Sequence, residues 1–280
     1  MNVSCIRTVF CYMVAAVFLL DTATVCASGR QGSHRSETRS NQTLAAFYQC
    51  HGRPKAVARV LELFRHNYPS SHIQMINDGG DPVLHDIASI AGAEYTYFAK
   101  SSSLEGTVAF GTIDQCSTWV QRLTSVVDVA DWTIILEDDV HVLQKVPLES
   151  LQFDINGDNP DSRLPDLVIK SIEIYRHGPL VDAHYGCPGG CILRNSFLRH
   201  VVTQADWMDN VRLICGAILN DSKNDRRLIY TDQLITGLLR MYGATLGNYR
   251  GFLEKWRPEY HRRWQARDII VLHQEKSLYT

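Results

Sequence analysis

The chain has 280 residues, which is enough for one large domain or two small ones. Hydrophobic residues make up 45% and charged residues 21%, the balance of an ordinary globular protein. The formal net charge at pH 7 is −2, so the charge gives no reason to expect a nucleic-acid partner.

The first 27 residues have the pattern of a secretory targeting segment. Arg7 precedes the apolar run Val9–Leu20, and small residues around Ala27 suit a cleavage site. The run is short for a membrane span and has the length of a signal-peptide core, although an uncleaved signal anchor also fits. Both alternatives place the rest of the chain in the secretory pathway, in the lumen of the Golgi or ER, or outside the cell after cleavage. A membrane contact is expected only through this segment.

Glycosylation triplets and cysteines agree with that compartment. Asn41 and Asn220 each begin an Asn-x-Ser/Thr triplet. Some cysteines outside the targeting segment should pair in an oxidising lumen, and their odd number leaves at least one free or paired between chains. The Pro-Gly-Gly turn between Cys187 and Cys191 invites a local disulfide. The cysteines outside the segment are Cys50, Cys116, Cys187, Cys191 and Cys215.

After a polar stem at residues 28–43, the hydrophobic pattern predicts alternating strands and helices. Helices are expected to begin at Pro54, Val83 and Ile113. The order β-α-β-α-β-α-β predicts an α/β fold with a doubly wound, mostly parallel sheet. The strands of this half are predicted at Leu44–Cys50, His72–Ile76, Glu94–Phe98 and Trp132–Leu136.

The second half has a less regular pattern. Residues Leu148–Arg163 are polar and predict a loop, and Glu254–Arg267 predicts a mobile, basic, aromatic loop. The elements predicted here are a strand at Asp166–Lys170, a glycine-rich turn at His184–Cys191, helical structure from Asn195 to about Leu219, a helix at Thr231–Tyr242, and closing strands at Ala244–Asn248 and Ile269–Leu272.

Three consecutive acids, Glu137, Asp138 and Asp139, follow the apolar strand Trp132–Leu136. Adjacent carboxylates repel one another and cost free energy when they are desolvated. A hard divalent cation such as Mg²⁺ or Mn²⁺ removes that cost. Open parallel sheets bind ligands at the carboxyl ends of their strands, so a metal site is predicted here, with a solvated acidic turn as the alternative.

Five motifs over residues 44–275 resemble those of nucleotide-sugar-dependent glycosyltransferases with the GT-A fold. Two departures from the family pattern are Asn77, where an acid is usual, and Gln233, where an acid often follows the catalytic one. The motifs are Ile76-Asn77-Asp78-Gly79-Gly80, similar to the V-D-D-G-S turn; Glu137-Asp138-Asp139, similar to D-x-D; the glycine loop Gly186–Arg194; Thr231-Asp232-Gln233, similar to x-E-D; and the late histidine, His273.

The resemblance implies one GT-A catalytic domain over residues 44–280 and transfer of a sugar, as by a hexosyltransferase, from a nucleotide-diphosphate sugar to a hydroxyl of a glycan, protein or lipid. It implies Mn²⁺ or Mg²⁺ bound by Asp139 and His273, with Asp232 as catalytic base. Glu137 would orient the ribose or a metal-bound water. The donor-binding residues that it implies are Asp78, Gly79, Glu137, Asp138, Gly189, Gly190, Arg263 and Arg267.

Other interpretations of these residues stay open. Asp232 also suits the first turn of a helix, and His273 could be an ordinary core histidine. For the whole chain, one alternative is a divalent-metal phosphodiesterase or nucleotidyltransferase, which usually needs ligands for two ions about 4 Å apart. Another is a non-catalytic carbohydrate-binding protein on the same fold. The donor sugar, the acceptor and the stereochemical outcome are not specified by these motifs.

Overall fold

A computed structural model describes residues 42–103, 109–186, 189–224, 226–254 and 268–273. The targeting segment, nearly all of the stem, Cys187, and the donor-binding candidates Arg263 and Arg267 lie outside these residues, so the predictions made for them stay predictions. Within the described ranges, no helix has the length and apolar character needed to span a membrane.

The described residues form alternating strands and helices around one main sheet. The helices are α1 Pro54–Asn67, α2 Leu84–Ala91, α3 Ile113–Leu123, α4 Asp166–Arg176, α5 Asn195–Val202, α6 Trp207–Asn220 and α7 Thr231–Met241. The strands are β1 Leu44–Cys50, β2 Ile73–Asp78, β3 Glu94–Phe98, β4 Ala109–Phe110, β5 Trp132–Leu136, β6 His141–Val142, β7 Ile155–Asn156, β8 Asp158–Arg163, β9 His184–Gly186, β10 Ile192–Arg194, β11 Ile229–Tyr230, β12 Leu246–Gly247, β13 Phe252–Glu254 and β14 Val271–His273.

The main sheet has seven strands in the order β12-β7-β10-β5-β1-β2-β3. Strands β5, β1, β2 and β3 are parallel to their neighbours in this run, whereas β10 is antiparallel to both β5 and β7. All five residues of β5 are buried, as its uninterrupted apolar run predicts. The prediction of a doubly wound, mostly parallel α/β sheet is confirmed.

Two hydrophobic cores cover the two faces of this sheet. On β1, Phe47 belongs to the core that includes α3 to α7, while Tyr48 faces the core that includes α1 and α2. On β5, Ile135 and Ile134 divide between the cores in the same way, as alternating strand side chains must. The chain winds outward from β1 through β2 to β3 on one side and places β5 on the other. The direction of winding therefore reverses between β1 and β5, the point at which open α/β sheets form a ligand crevice.

The strand predicted at Asp166–Lys170 is wrong, because these residues begin helix α4. A short β-branched run cannot be assigned from its composition alone. Extending it to Ile172 shows the helical spacing, since Val168, Ile169 and Ile172 form the buried face. The predicted loop Leu148–Arg163 also contains β7 and β8, and β8 forms a bulged antiparallel pair with β9.

A disulfide joins Cys116 on α3 to Cys215 on α6, which are 99 residues apart in sequence. The expectation that some cysteines pair is confirmed, but sequence spacing could not identify partners so far apart. The local bridge predicted between Cys187 and Cys191 involves a residue outside the described ranges. Cys50 is a buried free thiol on β1.

Candidate metal and donor site

The backbone brings the late histidine to the acids that follow β5. A tight turn, in which Val140 N–H donates to Glu137 C=O at 3.1 Å, connects β5 to β6. Strand β14 pairs antiparallel with β6, and Leu272 lies opposite His141. His273 is therefore the next residue toward the acidic turn, although 134 positions separate it from Asp139 in sequence.

Glu137, Asp139 and His273 form a compact group of possible metal ligands. One ligand atom from each lies within 4.8 Å of the others. His273 Nε2 is 3.6 Å from Glu137 Oε2 and 3.7 Å from Asp139 Oδ1. The Asp139 and His273 side chains are buried, with 9% and 6% of their surface exposed. Two carboxylate oxygens and one imidazole nitrogen are a donor set that suits Mn²⁺ or Mg²⁺. Glu137 joins this group, whereas the resemblance assigned it to the ribose or to a metal-bound water.

Asp138 bonds to residues of β1 and its loop. Tyr48 Oη donates a hydrogen bond to Asp138 Oδ1 at 2.8 Å, and an Arg53 guanidinium nitrogen lies 3.7 Å from Oδ2. Burial raises the pKa of Asp138 to about 6, the neighbouring acids add to that rise, and Tyr48 and Arg53 oppose it. Asp138 therefore ties the acidic turn to the end of β1 across the crevice.

The glycines of the loop before β10 make close contacts with the acidic turn. A Cβ on Gly189 would lie 2.8 Å from Glu137 Cδ and 2.8 Å from Val140 Cγ2. Gly190 has φ +89°, and a Cβ there would lie 2.9 Å from Val271 Cγ1. Both glycines are therefore required by packing within the protein, in addition to any approach of a donor sugar.

The carboxylate of Asp78 is buried at the end of β2, and protein donors engage both of its oxygens. Arg122 forms an ion pair with Oδ1, and Ser102 N–H lies 2.9 Å from each oxygen. Ser103 N–H and the Ser101 hydroxyl donate to Oδ2 at 3.1 and 2.9 Å. Asp78 thus holds the 101–103 segment in place, so any contribution to donor binding would be through that segment.

The turn after β2 depends on its glycines and on Asn77. Gly79 has φ +77°, a left-handed conformation that glycine tolerates. A Cβ on Gly80 would lie 1.4 Å from the carbonyl oxygen of His51, so only glycine fits there. The fully buried Asn77 accepts from Gly80 N–H at 2.8 Å and donates to the Tyr95 hydroxyl at 2.9 Å. Asn77, which departs from the family motif, therefore stabilises the turn.

Asp232 lies in the first turn of α7, where it is half-buried and accepts Gln233 N–H at 2.7 Å. Thr236, one helical turn later on the same face, makes two hydrogen bonds to the backbone of Gly186, at 3.1 and 3.0 Å. Gly186 is the first residue of the glycine loop, and Gly189 of the same loop packs on Glu137. Helix α7 thus connects the Asp232 turn to the metal-ligand group through the glycine loop.

Sequence reasoning missed two functional candidates, Arg53 and Arg122. Arg53 lies in the loop after β1, at the switch point, with φ 58° and a side chain that is 43% exposed. In the sequence, Gly52 before Arg53 indicates a turn, but nothing in the sequence shows that the Arg53 charge lies beside the three acids. Arg122 is on α3, 44 residues from its partner Asp78, and nothing in its local pattern indicates that pairing.

No protein-family model matches the sequence, and comparison with curated proteins gives no match. Among solved structures, the chain is similar to the galactosyltransferase LgtC bound to donor and acceptor sugar analogues, with 12% identity and a TM-score of 0.49 over 82% of this chain and 86% of that one. It is also similar to the glycosyltransferase GlyE of Streptococcus pneumoniae, with 11% identity and a TM-score of 0.43 over 83% and 54%.

A third similar structure is glucosyl-3-phosphoglycerate synthase from Mycobacterium tuberculosis, which was solved with Mn²⁺, uridine diphosphate and glucosyl-3-phosphoglycerate. It is 12% identical, with a TM-score of 0.33 over 57% of this chain and 59% of that one. Glycosyltransferases are the class of protein that the sequence motifs resemble, and at these identities the likeness concerns the fold alone.

Proposed function

We propose that this protein is a metal-dependent glycosyltransferase of the secretory pathway. It would move a sugar from a nucleotide-diphosphate sugar to a hydroxyl of a glycan, protein or lipid acceptor. The observation that carries the proposal is the grouping of Glu137, Asp139 and His273 beside the switch point of a mostly parallel sheet. A buried and a half-buried carboxylate at that edge suit a substrate bound through a divalent cation.

Glu137, Asp139 and His273 would hold Mn²⁺ or Mg²⁺. When bound, the cation supplies positive charge that stabilises the two phosphates of the leaving nucleoside diphosphate. The protein fixes the ligands from two directions, because Asp138 ties the acidic turn to Tyr48 and β14 fixes His273 next to β6. Gly189 leaves the space that the Glu137 carboxylate occupies.

The nucleoside would lie in the crevice between the ends of β1, β2 and β5. Arg53 offers a partly exposed cation at this place, and Asp78 organises the backbone of residues 101–103 along its edge. We assign both Asp78 and Asp138 a positioning role. Asp78 holds the 101–103 segment, and Asp138 holds the acidic turn. Arg263 and Arg267, outside the described residues, stay candidates for the diphosphate.

Asp232 would act as the base of an inverting transfer. The acceptor oxygen forms a bond to the anomeric carbon while the bond from that carbon to the diphosphate oxygen breaks. The hydroxyl proton passes to the Asp232 carboxylate, and the nucleoside diphosphate leaves with the bonding electron pair. The place of Asp232 at the start of α7, one turn from the Thr236–Gly186 contact, supports this role.

The disulfide between Cys116 and Cys215 and the exposure of Asn220 support the secretory compartment. Disulfides persist in oxidising compartments, and Asn220 ends α6 with Ser222 exposed beyond it. Expression in a secretory host, followed by glycosidase digestion and N-terminal sequencing, tests this part of the proposal. A protein with an intact N-terminus, no glycan and a cytosolic location would contradict it.

The decisive experiment is a thermal-shift screen of nucleotide sugars with and without Mn²⁺, followed by product analysis with the best donor. We expect one class of nucleotide sugar to raise the unfolding temperature only when Mn²⁺ is present, and an acceptor panel to yield transfer. Hydrolysis that exceeds transfer for every acceptor would favour a phosphodiesterase. Tight donor binding without turnover would favour a carbohydrate-binding protein.

A further inference from the structure

A cleft of about 460 Å³ lies beside the start of α7. Its volume is in the range of small-molecule sites, roughly 300–1,000 Å³. Glu137, Asp139 and His273 are not among its lining residues, so it is distinct from the metal-ligand group. The described residues that line it are Arg163, Leu164, Pro165, Asp166, Asp221, Lys223, Asn224, Arg226, Tyr230 and Gln233.

Two chain connections place this cleft next to the transfer chemistry. Tyr230 and Gln233 line it and flank Asp232 in sequence, at the start of α7. Arg163, another lining residue, pairs with His184 on β9, two residues before Gly186. At about 3.3 Å per strand residue, Arg163 is roughly 7 Å along the strand from Gly186, which the Thr236 hydroxyl binds.

The acids of the cleft are already engaged by protein groups. Asp221 is buried, and its carboxylate accepts Lys223 N–H at 2.9 Å and Leu167 N–H at 3.4 Å. Asp166 pairs with the Lys223 ammonium at 2.8 Å, and the Arg163 guanidinium is 4.0 Å from its other oxygen. These contacts satisfy the carboxylates of Asp221 and Asp166. They leave some N–H donors of Lys223 and Arg163 available for a ligand.

The arginines leave the cleft attractive to an anion. Three described lining side chains are cationic and two are anionic, a balance of 3 − 2 = +1. Arg163 and Arg226 are exposed, and a guanidinium can bind a carboxylate, sulfate or phosphate through two parallel hydrogen bonds. The N-cap residues of α4 and α7, Pro165 and Tyr230, also line the cleft, and neither caps its helix with a side chain. The first backbone N–H groups of both helices are instead engaged by acids, since Leu167 N–H donates to Asp221 and Gln233 N–H donates to Asp232, so the attraction for an anion comes from the arginines.

We propose that this cleft is the acceptor subsite and that it selects an acceptor glycan carrying an anionic group, either a carboxylate or a sulfate or phosphate ester. The inference rests on the proposed function and extends it to the class of acceptor. Arg163 and Arg226 bind the anion, and Tyr230 and Gln233 offer a hydroxyl and an amide to the sugar. The reacting hydroxyl of the same glycan then lies toward Asp232.

The test measures binding of matched sugars to the full chain by isothermal titration or saturation-transfer NMR. The probes are glucuronic acid, glucose 6-sulfate, glucose 6-phosphate and glucose, with inorganic sulfate and phosphate as separate arms. We expect the anionic sugars to bind about 10–100-fold more tightly than glucose, the range expected for hydrogen bonds to a charged group. Ranking the three anionic sugars identifies which anion the cleft prefers.

The double substitution Arg163→Gln with Arg226→Gln should remove the preference for the anionic sugars. Both side chains are exposed, so folding should be preserved, and Arg226→Gln alone gives the same readout with a smaller change. Arg59→Gln with Arg212→Gln is the matched control, since these exposed arginines pair with acids on their own helices, α1 and α6. The control should keep the wild-type preference.

Mn²⁺-dependent nucleotide binding, measured on the same proteins, separates the two proposals. If nucleotide binding is intact while the double variant still prefers anionic sugars, the assignment of the cleft as an anion-selective acceptor subsite is overturned and the proposed function stands. If inorganic sulfate or phosphate binds as tightly as the sugars, the cleft is an anion site and the acceptor assignment is overturned. If the wild type binds no nucleotide sugar in any condition, both proposals are overturned together.

Discussion

Strands β2 and β5 lie on either side of β1, and both end in carboxylates. The charges around these two sets of carboxylates differ. At the end of β2, Asp78 has an arginine and several serine donors around one charge. At the end of β5, three consecutive acids share one histidine and one arginine at distances of 3.6 to 3.7 Å. The first site is electrostatically complete within the protein, whereas the second has an excess of negative charge.

The pKa values of the two ends follow this difference. Burial pushes the pKa of Asp78 upward, but hydrogen bonds from Arg122 and the serines outweigh it and hold the pKa below its usual range. At the other end, burial raises the pKa of Asp138 to about 6, and the adjacent acids act in the same direction. A carboxylate with its own cation has a structural role, whereas a group in which the acids outnumber the cations indicates a place for an external cation.

The largest expected effect is that of removing a carboxylate from the β5 end. Asp139→Ala should lower kcat/KM for transfer by about 10³-fold or more, because the cation that it helps to hold supplies several kcal/mol of charge stabilisation. Mn²⁺ binding by calorimetry should be lost as well. The unfolding temperature without metal should stay the same or rise, since one repelling charge is gone.

Glu149→Ala, at an exposed acid, is the control for this substitution and should change neither Mn²⁺ binding nor kcat/KM. Full activity of the wild type in EDTA, or of Asp139→Ala without added metal, would show that the acidic turn is not a metal site.

Asp232→Asn tests the base while leaving both strand ends intact. The amide keeps the size of the side chain but cannot accept a proton, so kcat should fall by about 10²–10⁴-fold. The donor Kd should change little, because the metal-ligand group and the 101–103 segment are untouched. A parallel collapse of donor affinity would assign Asp232 to the donor site, and an unchanged kcat would leave it as a helix-start acid.

Arg122→Gln tests the β2 end, where stability is the expected readout. It leaves the Asp78 charge buried without its cation, which should cost about 3–5 kcal/mol of unfolding free energy at pH 7. Asp78→Asn with Arg122→Gln should cost less, because no unpaired charge remains. Arg212→Gln, which breaks an exposed pair, should cost about 1 kcal/mol or less.

The pH dependence of this pair has a definite sign. The pKa of Asp78 is lower in the folded state than in the unfolded state, so the pair stabilises the fold above the usual Asp pKa, which is about 4. That stability is lost as the pH falls through the folded-state pKa. Urea unfolding at pH 7 and pH 3 should therefore show a smaller difference between wild type and Arg122→Gln at pH 3. An equal difference at both values would contradict the assigned ion pair.

The parts of the fold that were predictable from sequence are those with long, regular patterns. Strands β1 and β5 are mostly apolar, and α1 repeats its buried positions at helical spacing, as in Val57, Val60, Leu61 and Phe64. Helix α4 was missed because the short apolar run Leu167-Val168-Ile169 fits a strand equally well. Strands β7 and β8 were missed because short strands in polar segments carry little periodicity.

The candidate site divides in the same way. The acidic triplet is visible in sequence because its three members are adjacent, and His273 stood out through the family resemblance. Contacts made across the fold were not predictable, since Arg122 reaches Asp78 from another helix and Tyr48 reaches Asp138 over 90 residues. The pairing of Glu137 with His273 depends on β14 lying against β6, which no local pattern encodes.

The smallest expected effect concerns the glycine that packs on the β5 end. Gly189 does not have a positive φ, so Gly189→Ala tests contact rather than backbone strain. The new Cβ would lie 2.8 Å from Glu137 Cδ and 2.9 Å from Glu137 Oε2, so the carboxylate must shift, which disturbs its 3.6 Å contact with His273. Displacing a metal-supporting contact of this kind typically lowers metal affinity about 10–100-fold, which Mn²⁺ titration would measure.

Gly216→Ala is the control, because nothing lies within 4 Å of its added Cβ and α6 should gain about 0.5–1 kcal/mol from the alanine. Wild-type Mn²⁺ affinity in Gly189→Ala would mean that Glu137 is not a metal ligand, and Asp139 and His273 would then need another partner.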